Sequence, residues 1–151
     1  MRRLVALPTA GAVCALAVTA FASAGVAART ATTWTATLSA RQEVPKQVVK
    51  KASAHGSFTA TVVGNKLKWK LTYAGLTGPA IAAHIHLGAI GKAGNVLVPL
   101  CGGKPACKSG LTGTAPLTAQ LKGAFKKHLL YVNVHTAKNP NGEIRGQLSA
   151  M

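Results

Sequence analysis

Along most of the chain, apolar and polar residues alternate with a period of two rather than 3.6, and β-branched residues are abundant between recurring turn residues. A strand sends successive side chains to opposite faces, so this pattern predicts short, half-buried β-strands. They are expected at Trp34 to Leu38, Phe58 to Val63, Lys66 to Tyr73, Ile81 to Leu87, Asn95 to Leu100, Gly113 to Gln120, Leu129 to Thr136 and Glu143 to Leu148. Pro45, in Arg41-Gln42-Glu43-Val44-Pro45, ends pairing after the first. Gly64-Asn65 suits a tight hairpin between the second and third strands. Asn139-Pro140-Asn141-Gly142 predicts another between the last two, because proline fixes one turn dihedral and glycine supplies a positive one. No segment has the sustained, capped pattern of an amphipathic helix, although Leu121 to His128 suits a turn of helix. About eight short antiparallel strands predict an all-β fold, a β-sandwich or Greek-key barrel.

Two of these strands carry the candidate chemistry. In His84-Ile85-His86 and Tyr131-Val132-Asn133-Val134-His135, alternation places His84 and His86 on one face and Tyr131, Asn133 and His135 on one face. Histidines two apart on a strand offer two imidazoles to one metal, and a third from another strand completes a site for copper or zinc. A structural reading competes with it: His135, Asn133, Glu143 and Arg145 form a hydrogen-bonded layer across the last hairpin. The chain has two carboxylates, Glu43 and Glu143, and each is expected to have a basic partner. His55 and His128 lie near strand starts and read as surface residues. Glu43 and Glu143 are the one conceivable acid/base pair; with no serine or cysteine nucleophile motif and no glycine-rich phosphate loop, hydrolysis is not expected.

The N-terminus has the layout of a secretory signal: Arg2 and Arg3, an apolar run from Leu4 to about Phe21, then Ala22-Ser23-Ala24. Residues 1–24 are expected to be removed, with a cut as late as 28 as the fallback, leaving a flexible lead over 25–33 and one domain over 34–149. Cys14 is a poor lipoprotein cysteine, because Val13 precedes it and the apolar run continues past it. No later stretch is long and apolar enough to span a bilayer, so the protein is expected to be secreted or associated with the cell envelope. In that oxidising setting Cys101 and Cys107, close together in Cys-Gly-Gly-Lys-Pro-Ala-Cys, are expected to form a disulfide.

A net charge of +16 adds attraction to anionic cell-envelope polymers such as teichoic acid or acidic polysaccharide, and to lipid headgroups. Lys66, Lys68 and Lys70 alternate with Leu67, Trp69 and Leu71; the stripe reads first as an exposed face that discourages edge pairing, and second as a polyanion track. Few aromatics interleave with the scattered lysines, so a specific nucleic-acid partner is not expected.

With the strands placed, several stretches resemble the CHRD domain, named after chordin and found in many bacterial exported proteins. They are Leu38-Ser39-Ala40-Arg41-Gln42-Glu43-Val44-Pro45, Gly56-Ser57-Phe58, Leu71-Thr72-Tyr73-Ala74-Gly75-Leu76, Ala83-His84-Ile85-His86-Leu87-Gly88, Tyr131-Val132-Asn133-Val134-His135-Thr136 and Asn139-Pro140-Asn141-Gly142-Glu143-Ile144-Arg145-Gly146-Gln147-Leu148. They run in family order from Trp34 to Leu148. The resemblance implies a non-enzymatic extracellular or envelope module for binding or structure. A copper- or zinc-binding protein using His84, His86 and His135 is the first alternative, and a polyanion-binding surface protein the second. A looser likeness to copper/zinc superoxide dismutases, which hold copper with a His-x-His strand and a later strand histidine, maps onto the same three residues. This chain has no recognisable bridging histidine and no aspartate, so dismutase activity is not expected.

Overall fold

Among the described residues the alternating segments form nine strands: β1 (Thr33–Ser39), β2 (His55–Val63), β3 (Lys66–Ala74), β4 (Ala80–Leu87), β5 (Val96–Cys101), β6 (Leu111–Pro116), β7 (Leu130–Thr136), β8 (Asn139–Gln147) and β9 (Ser149–Ala150). This computed structural model describes residues 31–151; the expected signal segment, its cut as late as 28 and Cys14 lie outside the described residues. Thr33, expected in the flexible lead, already pairs with Thr61. The strands make one antiparallel sheet in the order β5-β4-β7-β8-β1-β2-β3-β6, curled into a nearly closed barrel, with β9 beside β1. Among the described residues no helix is long and apolar enough to cross a membrane.

The expected all-β fold is present, with nine strands because the last is interrupted. Ser39 pairs with Arg145, Thr35 with Ser149 and Trp34 with Ala150 in one register, so β9 resumes along β1 after β8 breaks at Leu148. Inward residues from the whole sheet meet in one core, where Leu38, Phe58, Leu67, Leu71, Ile85, Val132, Val134 and Ile144 are completely buried. Burying each such side chain contributes about 1.5–3 kcal/mol. Cys101 and Cys107 form the expected disulfide at the end of β5.

Two local expectations are corrected. The run Gly113 to Gln120 does not continue as a strand: β6 stops at Pro116 and α1 (Ala119–Lys126) begins. Thr118 caps that helix, its hydroxyl accepting from the Leu121 N–H at 3.1 Å, and Leu121, Ala124 and Phe125 fall on one buried face. Phe125 packs against Trp34 with ring centroids 4.6 Å apart. The second correction concerns Asn139-Pro140-Asn141-Gly142, which belongs to β8 rather than to the turn; Thr136 pairs with Asn139, so the reversal falls at Ala137 and Lys138. Tertiary bonds outweigh the local turn preference, because the Asn139 side chain is held by both the N–H and the C=O of Val49. The Gly64-Asn65 hairpin stands as expected, with Val63 paired to Lys66.

The β1–β8 seam relies on close backbone approach. A Cβ on Gly146 would stand 2.5 Å from the Thr37 carbonyl oxygen, a backbone atom that cannot swing aside. Gly146→Ala should therefore lower the free energy of unfolding by about 1–3 kcal/mol; an unchanged urea midpoint would show that the seam relaxes freely.

Candidate metal centre

β4 and β7 are neighbours, and their register sets His84 beside Asn133, His86 beside Tyr131 and Ala82 beside His135. β8 follows, with Arg145 opposite Asn133 and Gln147 opposite Tyr131. Ile85, Val132, Val134 and Ile144 point into the core, so the polar residues share the sheet's outer face. That face is not solvated, because every residue of β7 is buried. A strap spanning residues 40–54 crosses it, tied down where the Gln47 amide donates to the Glu143 carbonyl at 2.7 Å and where Asn139 brackets Val49. A loop at residues 88–95 covers the other side: the Gly94 carbonyl accepts from His86 Nδ1 at 2.8 Å, and Arg145 and Gln147 donate to Ala89 and Gly88.

Under this cover the three expected histidines converge. One nitrogen from each of His84, His86 and His135 lies within 4.8 Å of the others, and His84 Nδ1 is 3.1 Å from His135 Nε2. His135 Nδ1 donates to the Pro140 carbonyl at 2.9 Å, so in the neutral ring Nε2 faces the cluster as an acceptor, with His84 Nδ1 as a partner at 3.1 Å. His86 is oriented the same way: Nδ1 donates to Gly94, and Nε2 is buried with no hydrogen-bond partner among the described residues. The Asn133 amide lies 3.0 Å from His135 Nε2. Tyr131 stacks nearly parallel on His86, with centroids 4.8 Å apart, and carries the Arg145 guanidinium 3.4 Å from its ring centre.

Burial holds all three rings neutral. Desolvation pulls His84 down to about 4, helped by the neighbouring His135 and His86. It also lowers His86 and His135, against the Gly94 carbonyl and the Asn133 side chain near His86 and the Pro140 carbonyl on His135, which favour the charged forms. Neutral imidazoles are the metal-binding form, so protons compete little for these nitrogens near neutral pH.

The sequence did not point to Glu43 as part of this face. Glu43 is fully buried beside Gly142, which has room for it because it has no Cβ and whose φ of +129° suits glycine. Desolvation raises its carboxyl to about 7, against the Val44 N–H, Arg145 and Asn133, which favour the charged form. The usable signal was its rarity, one of two acids in so basic a chain. The expected layer of His135, Asn133, Glu143 and Arg145 is divided: Asn133 and His135 meet, whereas Arg145 lies on Tyr131. Glu143 is held by Thr77 and Thr136 hydroxyls at 2.6 Å and by the Thr77 N–H at 2.6 Å, rather than by the basic partner expected for it. Burial pushes its carboxyl up, but those bonds outweigh burial and leave it lowered. His55 and His128 are exposed, outside the cluster.

Residues 34–148 match the CHRD domain. No curated protein and no solved structure matches the chain.

The buried rings predict an acid-sensitive fold. Because the folded chain resists protonating His84, the unfolded chain binds more protons between pH 6.5 and about 4, and stability falls as pH drops through that window. Glu43 acts oppositely: its folded value of about 7 lies above 4.5, so its contribution is present at low pH and is lost as pH rises through about 7. The urea midpoint of His84→Gln should fall less steeply than that of the parent from pH 6.5 to 4; parallel curves would remove His84 as the source.

Proposed function

This chain belongs to the CHRD-domain family, and we propose that it is an exported, non-enzymatic module that holds one copper or zinc ion between His84, His86 and His135. The observation that carries this reading is the convergence of three ring nitrogens, with His86 Nε2 buried and unpaired. A histidine kept only for a hydrogen-bonded layer is expected to satisfy both nitrogens, because a buried unpaired acceptor costs about 1–3 kcal/mol. A metal ligand instead commits one nitrogen to a carbonyl and leaves the other for the ion, as His86 does.

Distances agree with a small cation. Nitrogens about 2.0–2.1 Å from one tetrahedral ion stand about 3.3 Å apart. The His84 and His135 nitrogens are at 3.1 Å already, and a nitrogen of His86 lies within 4.8 Å of both. Three imidazoles with an open fourth position suit copper or zinc rather than magnesium or calcium, which prefer oxygen. His84 is the least buried of the three and gives the ion its way in. The Glu43 carboxyl, poised near neutrality, supplies nearby negative charge that offsets Arg145.

Titration of the chain from Gly25 onward with Cu(II) or Zn(II) at pH 7 should show one equivalent bound at micromolar concentration, with nitrogen hyperfine structure in the copper spectrum. The His84→Ala, His86→Ala double variant should lose more than the roughly 10–100-fold that removal of an outer-shell partner costs. No uptake by folded parent protein would leave the rings as a structural layer.

Export is supported by the Arg2-Arg3 leader with its apolar run, and by the disulfide. Expressed from its full sequence, the protein should be recovered outside the cytoplasmic membrane with an N-terminus between Gly25 and Arg29. An intact Met1 on cytoplasmic protein would refute export.

A further inference from the structure

The other half of the sheet presents a surface of different chemistry. Lys66, Lys68 and Lys70 stand exposed on β3 while Leu67, Trp69 and Leu71 face the core. β3 is not the edge strand that the edge-guarding reading assumed: it is paired with β2 on one side and β6 on the other. The lysines therefore guard no edge, and their neighbours show a different pattern. Lys68 lies between Thr61 and Thr114, and Lys70 between Thr59 and Thr112. These six side chains line a shallow groove of about 470 Å³.

The charge on this face is unopposed, because the chain's only two acidic side chains are both completely buried. Ammonium groups flanked by hydroxyls are donors for oxyanions, and ammonium acts as a point charge that suits phosphate without demanding a fork geometry. Spacing narrows the ligand further. Alternate residues on an antiparallel strand are about 6.8 Å apart, a span of six backbone bonds. A phosphodiester chain of three-carbon polyols also repeats every six backbone bonds, and the same bond geometry gives it an extended repeat of about 7 Å.

We propose that the outer face of β2, β3 and β6 binds a phosphodiester-linked polyol polymer laid along β3, with Lys66, Lys68 and Lys70 each opposite one phosphate and the flanking threonines bonding phosphate and polyol oxygens. A single nucleic-acid strand has phosphates at comparable intervals, but its affinity draws on aromatic stacking, and Trp69 is turned into the core. A lipid surface would favour apolar side chains on the contact face; apart from Val63 and Pro116, which flank Lys66, and Ala74 at the end of β3, this one presents hydroxyl and ammonium groups and the His55 ring.

The test is calorimetric titration of the chain from Gly25 onward with poly(glycerol phosphate), set beside oligodeoxythymidylate, a polyuronate and phosphatidylglycerol vesicles. The polyol phosphate should bind most tightly. Lys68→Gln, Lys70→Gln should weaken it at least about tenfold and make the slope of log K against log salt shallower by about 1.4, near 0.7 for each lost contact. Lys122→Gln, Lys126→Gln, which removes two exposed lysines from α1, should change affinity by less than about twofold. Both pairs are exposed, and unchanged circular dichroism would confirm that each variant folds. Equal losses from the two pairs, or tighter binding of any other probe, would overturn the assignment.

Discussion

A polar sheet face shut away from water persists only if its groups find partners, since each buried donor or acceptor left unpaired costs about 1–3 kcal/mol. The outer face of β4, β7 and β8 meets most of that condition through the 40–54 strap and the 88–95 loop, and leaves Glu43 Oε2, His86 Nε2 and Arg145 Nη1 as buried atoms without a partner among the described residues. The side chain of Asn139 does for the strap what a neighbouring strand does for a sheet, bonding both backbone groups of Val49. Thr77 and Thr136 do the same for the Glu143 carboxylate. Without this cover the histidines would be solvated rings on a sheet surface, with nothing to fix their orientation or their protonation.

Covering the face also separates its charges. Removing water disfavours the ionised form of every group beneath, which lowers the three imidazoles and raises Glu43 toward neutrality. Arg145 stays cationic by lying on Tyr131, an interaction worth about 2 kcal/mol when desolvated. The same tyrosine stacks on His86, so the position of that ring depends on a cation on β8 as well as on Gly94. What results is a compact site of neutral nitrogens, with one carboxyl near its midpoint at pH 7 and one fixed positive charge.

The parts legible in the sequence were those set by parity. His84, His86, Asn133 and His135 could be assigned to one face because a strand's period is two, and the core followed from the intervening Ile85, Val132 and Val134. The parts that were not legible depend on contacts between distant segments. Asn139 to Gly142 has turn chemistry, yet Val49 and His135 hold it in β8. Gly113 to Gln120 keeps a period of two past Pro116, and only the Thr118 cap, a choice of one hydroxyl, converts its end to helix. Glu43 follows a single helical turn at Ala40–Gln42, and no local pattern shows that Gly142 will make room for it. Burial of the outer face was invisible for the same reason: past Pro45, where pairing ends, it is the contacts of Asn139 with Val49 and of Gln47 with Glu143 that hold residues 40–54 over the face.

The two faces of the sheet are connected by where the acids went. A carboxylate left at the surface of so basic a chain would pair with lysines and compete with any anionic ligand for them. Both carboxylates instead lie beneath the cover, one serving the strap's anchor and one against Gly142. The outer lysines on β3 are consequently opposed by no acidic side chain, and at about 6.8 Å apart they sit within one Debye length, about 8 Å at physiological salt. Charges that close reinforce one another rather than being screened singly, so the stripe attracts as a patch. Withdrawing Glu43 from solvent thus places a carboxyl near its midpoint beneath the cover and, by the same step, leaves the opposite half of the sheet uniformly positive.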